Sequence, residues 1–114
     1  MGVSFLVDGR LVLALDGGTG MRRPFLYPVL GPAGMPLTRM GHPHDPISHS
    51  HHNSIWIAHH DVGGTSFWAD DSGTIEVTQI TRLEDGDDRA AVEMKNVWRD
   101  GEKGVLLHEN RRVS

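Results

Sequence analysis

The chain has 114 residues, of which 38% are hydrophobic and 23% charged, and its formal net charge is −4 at pH 7. These values are typical of a folded domain, and the lack of any Lys/Arg block longer than two residues argues against nucleic-acid binding. No apolar run approaches the ~20 residues that cross a bilayer, which argues against a membrane protein, and the lack of cysteine excludes disulfides and Cys-ligated metals.

The start of the chain does not resemble a signal peptide, because Asp8 and Arg10 interrupt its apolar residues. We therefore take the cytoplasm as the default compartment. The sequence leaves the oligomeric state open.

Most of the chain follows the two-residue alternation of a β-strand, and no segment combines helical spacing with caps. The Asp8-Gly9 pair predicts a tight hairpin turn with positive φ angles. Pro24 and Pro28 predict that any strand over residues 25–30 is an edge strand or irregular, because proline cannot donate to a sheet. The predicted strands are residues 3–7, 11–15, 25–30, 53–58, 65–69, 74–83, 89–99 and 105–112.

This pattern predicts an all-β fold, an antiparallel sheet or β-sandwich, as a single β-rich domain over residues 1–114. Val92, Met94 and Trp98 are expected to share one face of their strand, with Glu93 and Lys95 on the other. The last predicted strand stops without a turn, and a strand without a partner leaves an open edge. We therefore expect a chain truncated at its C-terminus, the N-terminal part of a longer protein.

Seven of the eight histidines fall within residues 42–60. Imidazole binds metals and moves protons near neutral pH. His49 and His51 would lie on one face of an extended chain about 7 Å apart, which suits two ligands of a divalent metal such as zinc. A site that joins His51 to His59 requires residues 45–53 to fold back, since eight extended residues span roughly 26 Å.

Three interpretations of these histidines stay open: metal binding, proton transfer to a substrate, and an incidental role as solvated turn residues. In the functional interpretations His51, His52 and His59 are the catalytic groups, and His49 with His51 are the metal ligands. The substrate-binding candidates are Trp56, Trp68 and Asp61, since aromatic faces beside polar groups suit sugar rings.

Structural roles are also predicted for several of these residue types. At least two of the three tryptophans Trp56, Trp68 and Trp98 are expected to fill the core. Arg22 and Arg23 are expected at the surface, and His108 is expected to be packed or exposed without a chemical role.

The run SHSHHNSIWIAHHDVGGTSFW, residues 48–68, resembles the signature of the bacterial PmoA-like family, which typically reads DHPHHR(S/G)LWFAHGDVNGxDFW there. The resemblance extends to RPFLYPVLGPAGMPLTR at residues 23–39 and to GVLLHENRR near the end. The matching positions in the central run are His49, His51, His52, Trp56, His59, Asp61, Gly64, Phe67 and Trp68. The chain departs from the pattern at Ser48 and Ser66 (Asp in the family), Asn53 (Arg), His60 (Gly) and Gly63 (Asn).

This resemblance implies a β-rich fold similar to the large sandwiches of galactose-mutarotase-like proteins, of which the chain would form the N-terminal portion. Methane oxidation is not implied, because no segment here could span a membrane. The expected function is an enzyme acting on a carbohydrate or polyol as its small-molecule partner. The alternatives are a non-catalytic ligand- or metal-binding β-sandwich module and an inactive fragment.

Overall fold

The structure is a computed structural model that describes residues 1–18, 20–40, 51–69 and 71–114. Within these residues the chain is all-β, with antiparallel strands and no helix, which confirms the predicted fold class. None of the described residues therefore forms a helix long and apolar enough to cross a membrane. The strands are β1 (Gly2–Val7), β2 (Arg10–Asp16), β3 (Phe25–Val29), β4 (Ile55–Trp56), β5 (Thr74–Asp85), β6 (Ala90–Asp100) and β7 (Gly104–Val113).

Contacts divide the chain into two compact units, Met1–Ala58 and His59–Ser114. The first unit holds a four-stranded sheet in the order β1-β2-β3-β4, and the second holds a three-stranded sheet in the order β5-β6-β7. The single domain and the C-terminal truncation expected from the sequence stay predictions.

The first sheet begins with the predicted hairpin. Asp8 and Gly9 have φ angles of 50° and 74°, the left-handed conformation that a two-residue turn requires. The pairing runs from Gly2 opposite Asp16 to Val7 opposite Arg10. Leu15 of β2 is buried, so this hairpin contributes directly to the core of the first unit.

Strand β3 lies between β2 and β4, and its pairing is irregular, as its prolines predict. Its register against β2 shifts between Leu13 and Leu15, and only Phe25 and Leu26 pair with β4. The strand predicted over residues 53–58 is therefore reduced to the two residues of β4.

The strand predicted over residues 65–69 does not form. Gly63 and Gly64 have positive φ angles and close a turn that pairs Val62 with Thr65. The Ser66 hydroxyl then accepts hydrogen bonds from the backbone N–H groups of residues 68 and 69. Local bonds of this kind compete with a sheet ladder, and here they replace it.

The second sheet is built on β6, its central strand. Val92, Met94 and Trp98 are buried on one face, as predicted, and Lys95 on the other face is exposed. Trp98 packs with Phe67 and Ile75 in the core cluster of this unit, and Val62 and Leu106 pack against that cluster.

Gly73 is required by this core. A Cβ atom at Gly73 would lie 2.5 Å from Cε1 and 2.7 Å from Cδ1 of the buried Phe67 ring. We predict that Gly73→Ala lowers the free energy of unfolding by about 1–3 kcal/mol, the usual cost of overpacking a core. Urea denaturation measures the change. Gly101→Ala is the control, because no described residue beyond the two chain neighbours has an atom within 4 Å of a Cβ at Gly101. Equal stability of the two variants would contradict this account of the packing.

Candidate functional site

Three of the sequence-predicted residues come together in the first unit, in what we call the imidazole–indole cluster: His51, His52 and Trp56. The His52 ring lies against the Trp56 indole with centroids 5.0 Å apart and an interplanar angle of 37°. The His51 ring stands edge-on to His52, with centroids 4.4 Å apart and an interplanar angle of 83°. All three residues are half-buried, so the cluster is packed against the protein and still reaches solvent.

A left-handed residue creates this cluster. Residues four apart in an extended strand are separated by roughly 13 Å, yet the rings of His52 and Trp56 are 5.0 Å apart. Between them Ser54 has a φ angle of 57°, a conformation that residues other than Gly, Asn and Asp seldom adopt. The kink at Ser54 therefore allows the imidazole to lie on the indole.

Contacts on both sides of the kink fix it to the first unit. The Ser54 hydroxyl makes a short hydrogen bond with the hydroxyl of Thr38, and the buried Asn53 forms a β-bridge with Met40. Trp56 is held by its pairing with Phe25 of β3. The segment that carries the cluster is thus attached to the sheet and to the connection that follows β3.

Arg23 holds the start of the same segment, and its predicted surface position is wrong. The residue is 1% exposed, and its Nη1 donates a hydrogen bond of 2.9 Å to the carbonyl oxygen of His51. Gly18 lies so close to the Arg23 backbone carbonyl that no Cβ would fit between them. An Arg-Arg pair is typical of a surface, and only the neighbouring Gly17-Gly18 gave any sign of a tightly packed backbone.

Three further predicted site residues, His59, Asp61 and Trp68, lie in the second unit. His59, Asp61 and Trp68 are exposed, and the imidazole of His59 stacks on that of His60 with centroids 5.0 Å apart. The Asp61 carboxylate accepts a 2.8 Å hydrogen bond from the backbone N–H of Gly64, which closes the turn there.

The hydrogen bonding of His59 determines its tautomer. Its Nδ1 accepts a 3.0 Å hydrogen bond from the backbone N–H of Asp61, so the neutral ring carries its proton on Nε2. In this tautomer Nε2 carries a proton and can donate a hydrogen bond, so it has no lone pair for a metal. The catalytic role of His59 stays a prediction, and the observed role is that of an acceptor within a turn.

The metal site cannot be assembled from the described residues. His49 lies outside them, and among residues 1–18, 20–40, 51–69 and 71–114 no three His, Cys, Asp or Glu side chains are grouped to hold a metal ion. The pairing of His49 with His51 on a divalent metal such as zinc therefore stays a prediction.

The tryptophans differ from expectation. Trp98 is 4% exposed and belongs to the core, whereas Trp68 is 43% exposed and Trp56 is half-buried. The expectation that at least two of them fill the core is wrong. Trp56 and Trp68 both have surface that a ligand can contact.

A buried polar network on β6 and β7 was missed from the sequence. The Glu109 carboxylate accepts hydrogen bonds from Nε1 of Trp98 at 2.6 Å and from Nη2 and Nε of Arg111 at 3.0 and 2.5 Å. Burial raises the pKa of Glu109, but the hydrogen bonds from Arg111 and Trp98 outweigh it, so the pKa lies below its ordinary value. The Asn96 amide also lowers the pKa of Glu109, although neither of its polar atoms has a partner with hydrogen-bond geometry among the residues that the structure describes.

The comparison with known proteins identifies a family whose function is unknown. A family model described as "Family of unknown function (DUF6807)" matches residues 2–114. No curated protein and no solved structure matches the chain. The resemblance to the PmoA-like family stays a prediction.

We predict that Ser54→Val lowers the free energy of unfolding by about 2–3 kcal/mol and separates the His52 and Trp56 rings. A β-branched residue resists positive φ, which already costs ~1–2 kcal/mol for an L-residue, and the bond to Thr38 is lost. Urea denaturation and ring-to-ring nuclear Overhauser effects measure the two changes. Ser54→Gly is the control, because it loses the hydroxyl but accepts the φ angle. Retention of the ring contact in Ser54→Val would refute the role of the kink.

We predict that Glu109→Gln destabilises the protein by about 2–3 kcal/mol at pH 7, because Arg111 is left without its carboxylate partner. A pKa lowered by folding means that the charged form contributes stability above the ordinary value of 4.5. This contribution is lost as the pH falls through the lower folded pKa, so the wild type and the variant should converge there. Urea denaturation from pH 7 to pH 3 tests this, with Glu102→Gln on the exposed turn as control. A gap that persists at low pH would contradict the ionic mechanism.

Proposed function

We propose, for a chain that belongs to the family of unknown function DUF6807, that it acts on a carbohydrate or polyol at the imidazole–indole cluster. The observation that carries the proposal is the contact between the His52 imidazole and the Trp56 indole, centroids 5.0 Å apart, in a half-buried position. The indole supplies a flat apolar surface, and the imidazoles supply hydrogen-bonding and proton-transfer groups beside it.

Sugar rings match this combination of groups. Their C–H faces pack on aromatic rings, while their hydroxyls need donors and acceptors at the rim of the same surface. Histidine is a residue type that supplies such groups, because a neutral imidazole has one N–H donor and one acceptor nitrogen. The cluster therefore offers both parts of a sugar-binding surface within six residues of chain.

Two adjacent imidazoles also favour acid–base chemistry. One neutral ring can remove a proton from a hydroxyl while the other donates a proton elsewhere on the same ligand. Catalysis needs these rings held in place. The hydrogen bond from the buried Arg23 to the carbonyl of His51 and the fixed kink at Ser54 provide this rigidity.

The binding part of the proposal is tested by titrating the protein with glucose, galactose and inositol while following tryptophan fluorescence and backbone NMR shifts. We expect at least one of them to shift the resonances of His51, His52 and Trp56 together. Trp56→Leu should weaken its binding about threefold to tenfold, the usual worth of an aromatic contact. His60→Ala is the matched control, because His60 is an exposed imidazole in the second unit.

The catalytic part is tested by polarimetry of sugar anomer interconversion, a reaction that requires one proton to leave the anomeric hydroxyl and another to reach the ring oxygen. His52→Gln should lower the rate by about 10²-fold or more, the contribution of a positioned acid or base, with binding changed only a few-fold. Binding that depends on Trp56, with no catalysed interconversion, would favour the non-catalytic module. Absence of binding by all three ligands would refute the proposal.

A further inference from the structure

The second sheet carries a polar face that is separate from the imidazole–indole cluster. We call it the Lys95 face: the side of β5, β6 and β7 opposite to the buried Met94, Asn96 and Trp98. On it Lys95 of β6 stands directly opposite Asn110 of β7, and Val97 stands opposite His108. Directly opposed residues of antiparallel strands project to the same side, so these four side chains are neighbours.

A groove of about 300 Å³ lies among these residues. Lys95, His108 and Asn110 are exposed, whereas Val97 is 7% exposed, so Val97 forms the apolar floor and the polar side chains form the rim. Thr78 completes the groove from β5.

Thr78 reaches this position because of a β-bulge. The register of β5 against β6 shifts between Val77 and Gln79, which leaves Thr78 as the extra residue. Bulges re-aim side chains and commonly occur beside binding sites. The Thr78 hydroxyl donates a 3.1 Å hydrogen bond to the backbone carbonyl of Lys95, which ties the bulge to the strand that carries the lysine.

The arginines around the groove all form ion pairs with glutamates, and Lys95 takes part in none of these pairs. Arg99 lies 3.6 Å from Glu76, and Arg112 lies 2.7 Å from Glu93 and 3.2 Å from Glu84. The remaining arginine of this face, Arg82, is 3.8 Å from Glu84. These pairs involve every arginine that the register places on the Lys95 face.

Lys95 has no carboxylate within ion-pair distance among the residues that the structure describes. Glu109 also lines the groove, but its carboxylate is engaged by Arg111 and Trp98, which lie on the other face. The rim of the groove thus presents an ammonium group, an amide and an imidazole, all of which can donate hydrogen bonds.

We propose that this groove binds the anionic group of a small ligand, a carboxylate or a phosphate. The Lys95 ammonium supplies the charge, and His108 and Asn110 supply directed donors on the facing strand. A net charge of −4 gives the protein no general attraction for anions, so binding depends on this local arrangement. The site lies wholly within the second unit and does not rest on the proposed sugar function.

The test is an NMR titration of the backbone amides with sodium phosphate and, separately, with sodium acetate. Ionic strength is held constant with sodium chloride, because exposed charges are screened by salt. We expect the resonances of Lys95, Val97, His108 and Asn110 to shift together and to saturate. Saturation with phosphate alone assigns a phosphate ligand, and saturation with acetate alone assigns a carboxylate ligand. Saturation with both assigns a general anion site.

Lys95→Gln should weaken the binding of the active anion about fivefold, the effect of removing one exposed charge at contact distance. Asn110→Ala, which keeps the charge, should weaken it about twofold to threefold. Arg89→Gln is the matched control, because it removes the same charge from the exposed turn before β6. Dispersed amide resonances establish that each variant is folded.

Three results would overturn the proposal: no saturable shift with either anion, unchanged binding in Lys95→Gln, or an equal loss in Arg89→Gln. The last result would mean that the anions respond to overall charge instead of to the groove.

Discussion

The hydrogen bond from the buried guanidinium of Arg23 to the carbonyl of His51 is the interaction on which the candidate site depends. Arg23 is 1% exposed, and burying a guanidinium without hydrogen-bond partners is costly. Its partners, including the carbonyl of His51, are therefore held in place around it. The partner here is the backbone at the start of the segment that carries both imidazoles. The bond therefore ties the chemistry of residues 51–56 to the residues that lead into β3, which are distant in sequence.

The strands that could be predicted are those specified by the alternation of residues within the strand and by the turns that flank it. The β1–β2 hairpin follows from alternation and the Asp8-Gly9 turn, and β5, β6 and β7 follow from β-branched residues between acidic, glycine-containing turns. The prediction over residues 65–69 was wrong because the Ser66 hydroxyl bonds the following backbone N–H groups. Alternation shows which residues fit a strand, and it does not show whether a side chain competes for the backbone.

The residue types of the candidate site were visible in the sequence, whereas their arrangement was not. The density of histidine and the neighbouring Trp56 pointed to His51 and His52 as site candidates. Nothing in the sequence indicates that Ser54 has a left-handed backbone conformation. The buried Arg23 was missed because an Arg-Arg pair is usually solvated. Glu109 and Arg111 were also missed, although their spacing of two places both on the same face of a strand.

The hydrogen bond between the hydroxyls of Thr38 and Ser54 makes the connection after β3 part of the support of the imidazole–indole cluster. Residues 31–40 contribute no imidazole or indole, yet Thr38 bonds to Ser54, the residue at the kink between His52 and Trp56. Relatives that keep all the ring residues and differ at position 38 would present the same groups at a different spacing. If the cluster acts on a sugar as proposed, substitution at position 38 would then change substrate choice while every ring residue stays the same.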